Sequence, residues 1–472
     1  MVDLYISILF CFHYAKILFG EKNDIELEGG ISMKKQMKRI VAGAVALAVA
    51  ATTVLSAPGE AFAASKRPAG MSKVGKNKLS IVTWNSGMDA KVEAFKEMYP
   101  QYADRIEVIQ IGVSATDPDY VAAVDKLAKE EKRADIVCWD VDMLSVGMNK
   151  SYTVPMSKIG FQKKWYKNAY KYTVTNGSKN GKLTALTDQV NPGCFIYNKK
   201  LAKKAFGTST PSKVQAKISN WNKFLAAAKQ AAKKNVKIVQ GADDVYNAFR
   251  GSNTKTYAKN GKFQLPEKFK TYCKVRNTLK KNDYTNNTWQ WDEDWMAGMK
   301  TPNAVGYFGS PWFFLTMQAY GTGWDLSQWA VVAGPSAYEW GSTYYTATKY
   351  CDNKGLAQLF LYTLTCDTDF QYKDSTKNLG NGIPNNMKAV KKMIKNKVYK
   401  KEFKLSNDPC AAFDKAARKL KGRTRTKYDK DIEDCLSDEK YDFLTYEKTQ
   451  LPSYKNVCKS LTEAIQEKTK LN

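Results

Sequence analysis

The chain has 472 residues, with 74 Lys plus Arg against 46 Asp plus Glu and a formal charge of +28. That length exceeds one small domain and fits two or three, and 43% hydrophobic with 12% aromatic residues supplies a packed core, which excludes wholesale disorder. The single histidine, His13, lies in the N-terminal segment, so the rest of the chain lacks an imidazole base, a His-dependent nucleophile or a His-bearing zinc site.

Residues 33–63 read as a secretory signal peptide. Lys34, Lys35, Lys38 and Arg39 make a basic start, residues 40–55 an uncharged apolar stretch, and Ala61-Phe62-Ala63 a small-x-small cleavage site. The apolar stretch is shorter than the roughly 20 residues that span a bilayer. Residues 1–32 read as a mis-called start. Glu28-Gly29-Gly30 can be encoded by a ribosome-binding sequence, with Ile31 and Ser32 as spacer before Met33. No Cys follows the apolar stretch, so no lipid-anchor motif is present. Removing 63 residues leaves 409, and because the removed part is balanced in charge, +28 survives. Eight cysteines remain without any C-x-x-C spacing, which argues against zinc ribbons and redox motifs. Disulfides and buried thiols both stay open.

Residues 64–77 are polar and Gly/Pro-punctuated, a flexible tether. Residues 79–84 form a β-rich run ending at the turn Asn85-Ser86-Gly87. Val92, Phe95 and Met98 recur at three-residue steps and predict a helix stopped by Pro100. A second apolar run covers 105–112. Asp117-Pro118 then reads as an N-cap and first helical residue, opening a helix with Val121, Val124, Leu127 and Ala128 on one face. Residues 135–139 are a third strand. This β-α-β-α-β order predicts a doubly wound parallel sheet, whose ligands collect at the carboxyl ends of the strands. The residues at those ends are Trp84, Asn85, Ser86, Trp139 and Asp140.

A second α/β unit begins near residue 190, with a helix over 220–234 and a strand over 236–240. Trp289, Trp291, Trp295 and Trp312 then stand close together in sequence, with Asp292, Glu293 and Asp294 among them. Residues 304–308 read as a buried strand, Gly309-Ser310 as a turn, Ser310 as an N-cap and Pro311 as the first helical residue. A helix start offers free N–H groups to ligand oxygens, and a neighbouring indole offers an apolar face. A sugar uses both. The competing reading is that the tryptophans are core. Residues 333–342 carry Tyr338 and Trp340 between glycines and prolines, and residues 353–364 open and run as an apolar helix. Residues 401–472 are charged and largely helical in pattern.

These pieces resemble the extracellular solute-binding proteins, family 1, of Gram-positive carbohydrate ABC transporters. The resemblance rests on the signal peptide, Trp84-Asn85, residues 183–188 before Ile196-Tyr197-Asn198-Lys199, and residues 295–299. It also rests on residues 306–312, Gly334-Pro335 with Trp340-Gly341, and Lys349-Tyr350 with Asn353-Lys354. It implies an α/β fold of two lobes joined by about three crossings, near residues 187–192, 332–340 and 379–384. Lobe one would be 78–189 plus 339–384, and lobe two 190–338 plus 385–472. The implied ligand cleft takes Trp84, Asn85 and Asp140 from lobe one and Asp188 at a hinge. Trp312, Tyr338 and Trp340 come from lobe two and the third segment, with Trp289 and Trp291 beside them. The resemblance implies an exported, monomeric sugar- or oligosaccharide-binding protein that serves ABC permease subunits, with no catalysis, metal or cofactor.

Two other classes stay open at this stage. An exported glycosidase-type enzyme needs two carboxylates about 5–10 Å apart, and Asp292 to Asp294 or Asp140 with Asp142 are candidates. A basic wall-associated adhesin would use the +28 charge. Lysine runs such as Lys199-Lys200, Lys203-Lys204 and Lys391-Lys392 read first as a solvated surface. They also suit anionic cell-wall polymers as a partner. No nucleic-acid reader motif is present.

Overall fold

The structure, a computed structural model, describes residues 67–437 except 322 and 324, and residues 454–471. All of these residues lie in one unit. The expected mis-called start and signal peptide fall outside the described residues, as does the beginning of the tether.

The first lobe is built on a sheet in the order Ile106–Gln110, Leu79–Thr83, Ile136–Asp140, Thr343–Thr348, Thr153–Val154. The first three strands are parallel, with Leu79 opposite Ile106 and Ile81 opposite Ile136. Thr343–Thr348 returns antiparallel, placing Tyr345 opposite Cys138. Side chains alternate across a strand. Leu79 and Ile81 therefore pack on one face with Val92, Phe95 and Met98 of the helix Asp89–Met98. Val82 packs on the other face with Tyr120, Val124 and Leu127 of Pro118–Lys129. Each fully buried aliphatic side chain contributes roughly 1.5–3 kcal/mol. The expected cap is present: the Asp117 carboxylate accepts from the Asp119 N–H at 2.9 Å. The doubly wound expectation thus holds for this lobe.

The second lobe is built on Pro192–Asn198, flanked antiparallel by Gly306–Gly309 and Trp329–Val332, with Tyr338–Glu339 pairing its first residues. Phe195, Phe224 and Phe308 form its centre with the helix Trp221–Ala232, capped by Asn220. Residues 236–240 do not form the strand expected of them. Lys237 bridges to Ala304 and Val239 to Thr285, so the segment meets a different neighbour at each pairing residue and builds no continuous ladder.

Three short segments connect the sheets. Gln189–Val190 runs into Pro192–Asn198. Tyr338–Glu339 runs through Trp340, Gly341 and Ser342 into Thr343–Thr348. Ile383–Pro384 pairs antiparallel with Gln189–Val190, so two crossings are hydrogen-bonded to each other. Asn385 reinforces that join: its N–H donates to Asp188 at 2.8 Å and its side-chain amide to Thr187 at 2.9 Å. The Trp340 N–H donates to the Asn191 carbonyl at 3.0 Å and ties in the remaining crossing.

The eight cysteines beyond the N-terminal region are free thiols, and seven are buried. Burial pushes the Cys138 and Cys351 thiols up to about 12. No helix of the described residues is long and apolar enough to cross a membrane.

Candidate functional site

The carboxyl ends of the first-lobe strands carry the residues the strand order predicts. Trp84 is half-buried, its ring edge-on to Tyr120 at 6.1 Å. The Asn85 carboxamide is turned inward on its own chain, accepting from the Gly87 N–H at 2.9 Å. Trp139 is core, its indole N–H donating to Thr346 at 2.9 Å. Asp140 accepts from the Asp142 N–H at 2.8 Å, a turn that sets the two carboxylates side by side. Burial, with the charge on Asp142 second, pushes Asp140 up to about 7. Burial also works against ionising Asp142, but the Arg250 guanidinium at 3.0 Å holds it below its ordinary value.

On the second lobe the structure brings three predicted tryptophans into contact. Trp312 and Trp340 lie 4.8 Å apart, edge to face. Trp291 lies 6.0 Å from Trp312, stacked, and 6.1 Å from Trp340. The Trp312 indole N–H donates to the Trp340 carbonyl at 2.9 Å, so one ring also fixes the crossing. All three are half-buried. Trp291 adopts a left-handed backbone, φ +78°, which is strained for a bulky side chain. Trp295 behind them is fully buried and bonded to Asp244 at 2.7 Å, which is the core role for that tryptophan. Trp289 packs against the second-lobe core. Trp84, Asn85 and Asp140 stand on the other lobe.

Two expected ligand residues, Tyr338 and Asp188, are engaged elsewhere in this structure. Tyr338 is completely buried, with its hydroxyl donating to the Cys194 carbonyl at 3.2 Å. Its ring lies on Gly193 so closely that a Cβ there would sit 1.9 Å from it. Tyr338 is therefore a sheet-packing residue. Asp188 has both oxygens committed, one to the ammonium of Lys91 and the other to the Tyr345 hydroxyl at 2.7 Å. It is a buried strut of the hinge. The expected helix start is displaced as well. Residues 310–315 make turn bonds such as Phe313 N–H to Ser310 carbonyl at 2.9 Å, and the regular helix is Phe313–Tyr320. The turn uses N–H groups that a ligand was expected to find.

Between the lobes, next to the tryptophan cluster at Gly341, lies a cavity of about 40 Å³. Val141, Asp142 and Asn176 line it from the first lobe, and Arg250 and Glu339 from the second. Leu420, Gly422, Arg423, Arg425 and Glu433 close it from the C-terminal segment. Arg250 pairs with Asp142 at 3.0 Å and with Glu433 at 3.8 Å. Arg423 pairs with Asp429 and Glu433 and lies over the Tyr257 ring at 4.4 Å. The Asn176 amide donates to Glu339 at 2.8 Å. The sequence reading missed this cluster. A signal existed: the chain has nine arginines against 65 lysines, and three of the nine meet here. A guanidinium serves buried, multiply bonded positions better than an ammonium. Among the described residues no cluster of His, Cys, Asp and Glu is placed to hold a metal ion.

Comparison with known proteins bears on this geometry. Residues 90–404 match the family model of bacterial extracellular solute-binding proteins. No curated protein sequence matches the chain. The fold is similar to an extracellular solute-binding protein of family 1, with a TM-score of 0.68 at 16% identity, covering 82% of this chain and 100% of that one. It is also similar to the galacto-N-biose/lacto-N-biose I-binding protein of an ABC transporter from Bifidobacterium longum, in complex with lacto-N-biose. That TM-score is 0.62 at 13% identity, covering 86% of this chain and 98% of that one. An ABC substrate-binding protein from Listeria monocytogenes in complex with cycloalternan gives 0.58 at 14% identity, covering 84% and 100%.

Proposed function

The chain belongs to the bacterial extracellular solute-binding proteins, and from that premise we propose that it is the substrate-binding component of an ABC importer. It takes a sugar or oligosaccharide into the cleft between its lobes and delivers it to permease subunits in the membrane. The observation that carries this reading is the contact cluster of Trp291, Trp312 and Trp340 at an inter-lobe crossing. Indole faces cover the C–H surface of a sugar ring, and neighbouring carboxylates and amides accept and donate to its hydroxyls. We assign that polar role to the carboxylates of Asp140 and Asp142. Crossings this short suit hinge closure over a ligand. The sugars held by two similar structures, lacto-N-biose and cycloalternan, support the class of ligand.

The lysine-rich surface gives a means of retention at the cell. Attraction to anionic wall polymers acts over roughly a Debye length, about 8 Å at physiological ionic strength. Washing intact cells with rising NaCl should release the protein; retention through the highest salt contradicts electrostatic holding.

Calorimetry against a panel of oligosaccharides, with a reducing-sugar assay alongside, tests the main reading. Binding heat without new reducing ends is expected. New reducing ends would replace it with the glycosidase reading, for which Asp140 and Asp142 are the carboxylates that stand together. Absence of binding across the panel would remove the saccharide reading.

A further inference from the structure

Arg425 lines the inter-lobe cavity and is only 9% exposed, yet among the described residues it makes no hydrogen bond or ion pair, and its Nε is fully buried without a partner. Its two neighbours differ. Arg250 and Arg423 each face two carboxylates. Asp140, Asp142, Glu339 and Glu433 lie within the electrostatic reach of Arg425, but none bonds to it. A largely buried guanidinium with no protein partner costs stability unless a ligand or water supplies one.

The segment that carries Arg425 is held against the first lobe. The Arg423 N–H donates to the Asn176 side chain at 2.9 Å. Gly422 has φ +70°, and a Cβ there would come within 2.6 Å of the Tyr172 carbonyl, so a glycine is required for this close approach. All of it lies beyond the family-matched residues 90–404.

We propose that residues 420–433 form a wall of the ligand cleft that reads charge, and that Arg425 is held open to receive a carboxylate of an acidic saccharide. The cavity of about 40 Å³ has room for about three waters, enough for a carboxylate. The ring itself would lie outward, toward Gly341 and the tryptophans. A planar guanidinium matches a carboxylate with two parallel hydrogen bonds. With four acidic side chains nearby, a monoanion suits the site better than a phosphate dianion. This assignment rests on the saccharide-binding reading of the cleft and adds the class of saccharide.

The test is calorimetry with uronate-bearing oligosaccharides (galacturonate, glucuronate and mannuronate series) against their neutral methyl esters. The unaltered protein should bind the acid at least about tenfold more tightly than the matching ester. In Arg425→Gln that ratio should collapse to within about threefold, and Arg425→Lys, which keeps the charge but not the fork, should retain part of it. Thermal melts of both variants establish that they are folded. Equal affinity for acid and ester, or an unchanged ratio in a folded Arg425→Gln, overturns the assignment while leaving saccharide binding in place. Failure of the protein to bind any acid, ester or neutral sugar overturns both.

Discussion

Asp142 on the first lobe and Arg250 on the second stand 3.0 Å apart, a direct ionic link between the two halves of the cleft. Arg250 also reaches Glu433 of the C-terminal segment at 3.8 Å, so one guanidinium holds three parts of the chain together. Opening the lobes must separate these charges, which makes the pair a latch for the closed arrangement.

Replacing Asp142 by Asn should therefore shift the free protein toward an open form. Small-angle scattering should show a larger radius of gyration for Asp142→Asn than for the parent. Raising the salt should enlarge the parent, because the pair is partly exposed and screened. Identical profiles under both comparisons would show that the pair does not hold the lobes.

Glu339 beside the latch gives a pH signature. Burial pushes its carboxyl up to about 7, although Arg425 opposes the shift. The unfolded chain releases this proton near its ordinary value, so between about 4.5 and 7 the folded state binds more protons than the unfolded one. Stability therefore falls as pH rises through that window and levels off above it. Asp140, also at about 7, acts in the same direction. In Glu339→Gln the decline between pH 5 and 7.5 should be shallower by about 1–2 kcal/mol. Melting curves at a series of pH values measure it; parallel declines in the two proteins would contradict the raised value.

The Lys91–Asp188 pair predicts a different failure. Both side chains are under a tenth exposed, and Asp188 also accepts from Tyr345 at 2.7 Å. Asp188→Ala should cost about 3–5 kcal/mol, because a buried ammonium loses its partner. Lys91→Met in the same chain should restore part of that. Denaturant unfolding of the single and double variants decides it. A stable Asp188→Ala with weakened sugar binding would return Asp188 to the ligand site.

The second tryptophan of the Trp289-Gln290-Trp291 run, Trp291, separates binding from folding most cleanly on the aromatic side. At φ +78° the Trp291 backbone favours glycine. Trp291→Gly relaxes that strain as it removes the ring, so the melting temperature should change by only a few degrees. Saccharide affinity should fall about tenfold or more. A collapse in stability would place Trp291 in the core.

Much of the first lobe was legible in the sequence because its signals are local. Helical spacing of Val92, Phe95 and Met98 and the Asp117-Pro118 cap need no tertiary information. The three tryptophans at the second-lobe end of the cleft were legible as candidates, since aromatic residues beside turns stand out. Their burial was not: Tyr338 and Trp340 are neighbours-but-one in sequence, yet one is sealed over Gly193 and the other half-buried. Which side of a short strand faces the core depends on pairing with Pro192–Asn198, a partner nearly 150 residues away. The arginine cluster was hidden for the same reason. Arg250, Arg423 and Arg425 meet only because the C-terminal segment crosses to Asn176. Asp188 looked like a ligand residue because its partner Lys91 is 97 residues distant.

On the proposed function a saccharide lies between the lobes against the tryptophan cluster. A crystal structure of the protein with the tightest-binding oligosaccharide from the calorimetric panel tests it most directly. A sugar ring is expected in van der Waals contact with Trp312 or Trp340, its polar edge toward the cavity bounded by Asp142, Arg250 and Arg425. A ligand bound elsewhere on the surface, or in the cleft without touching Trp291, Trp312 or Trp340, would contradict it.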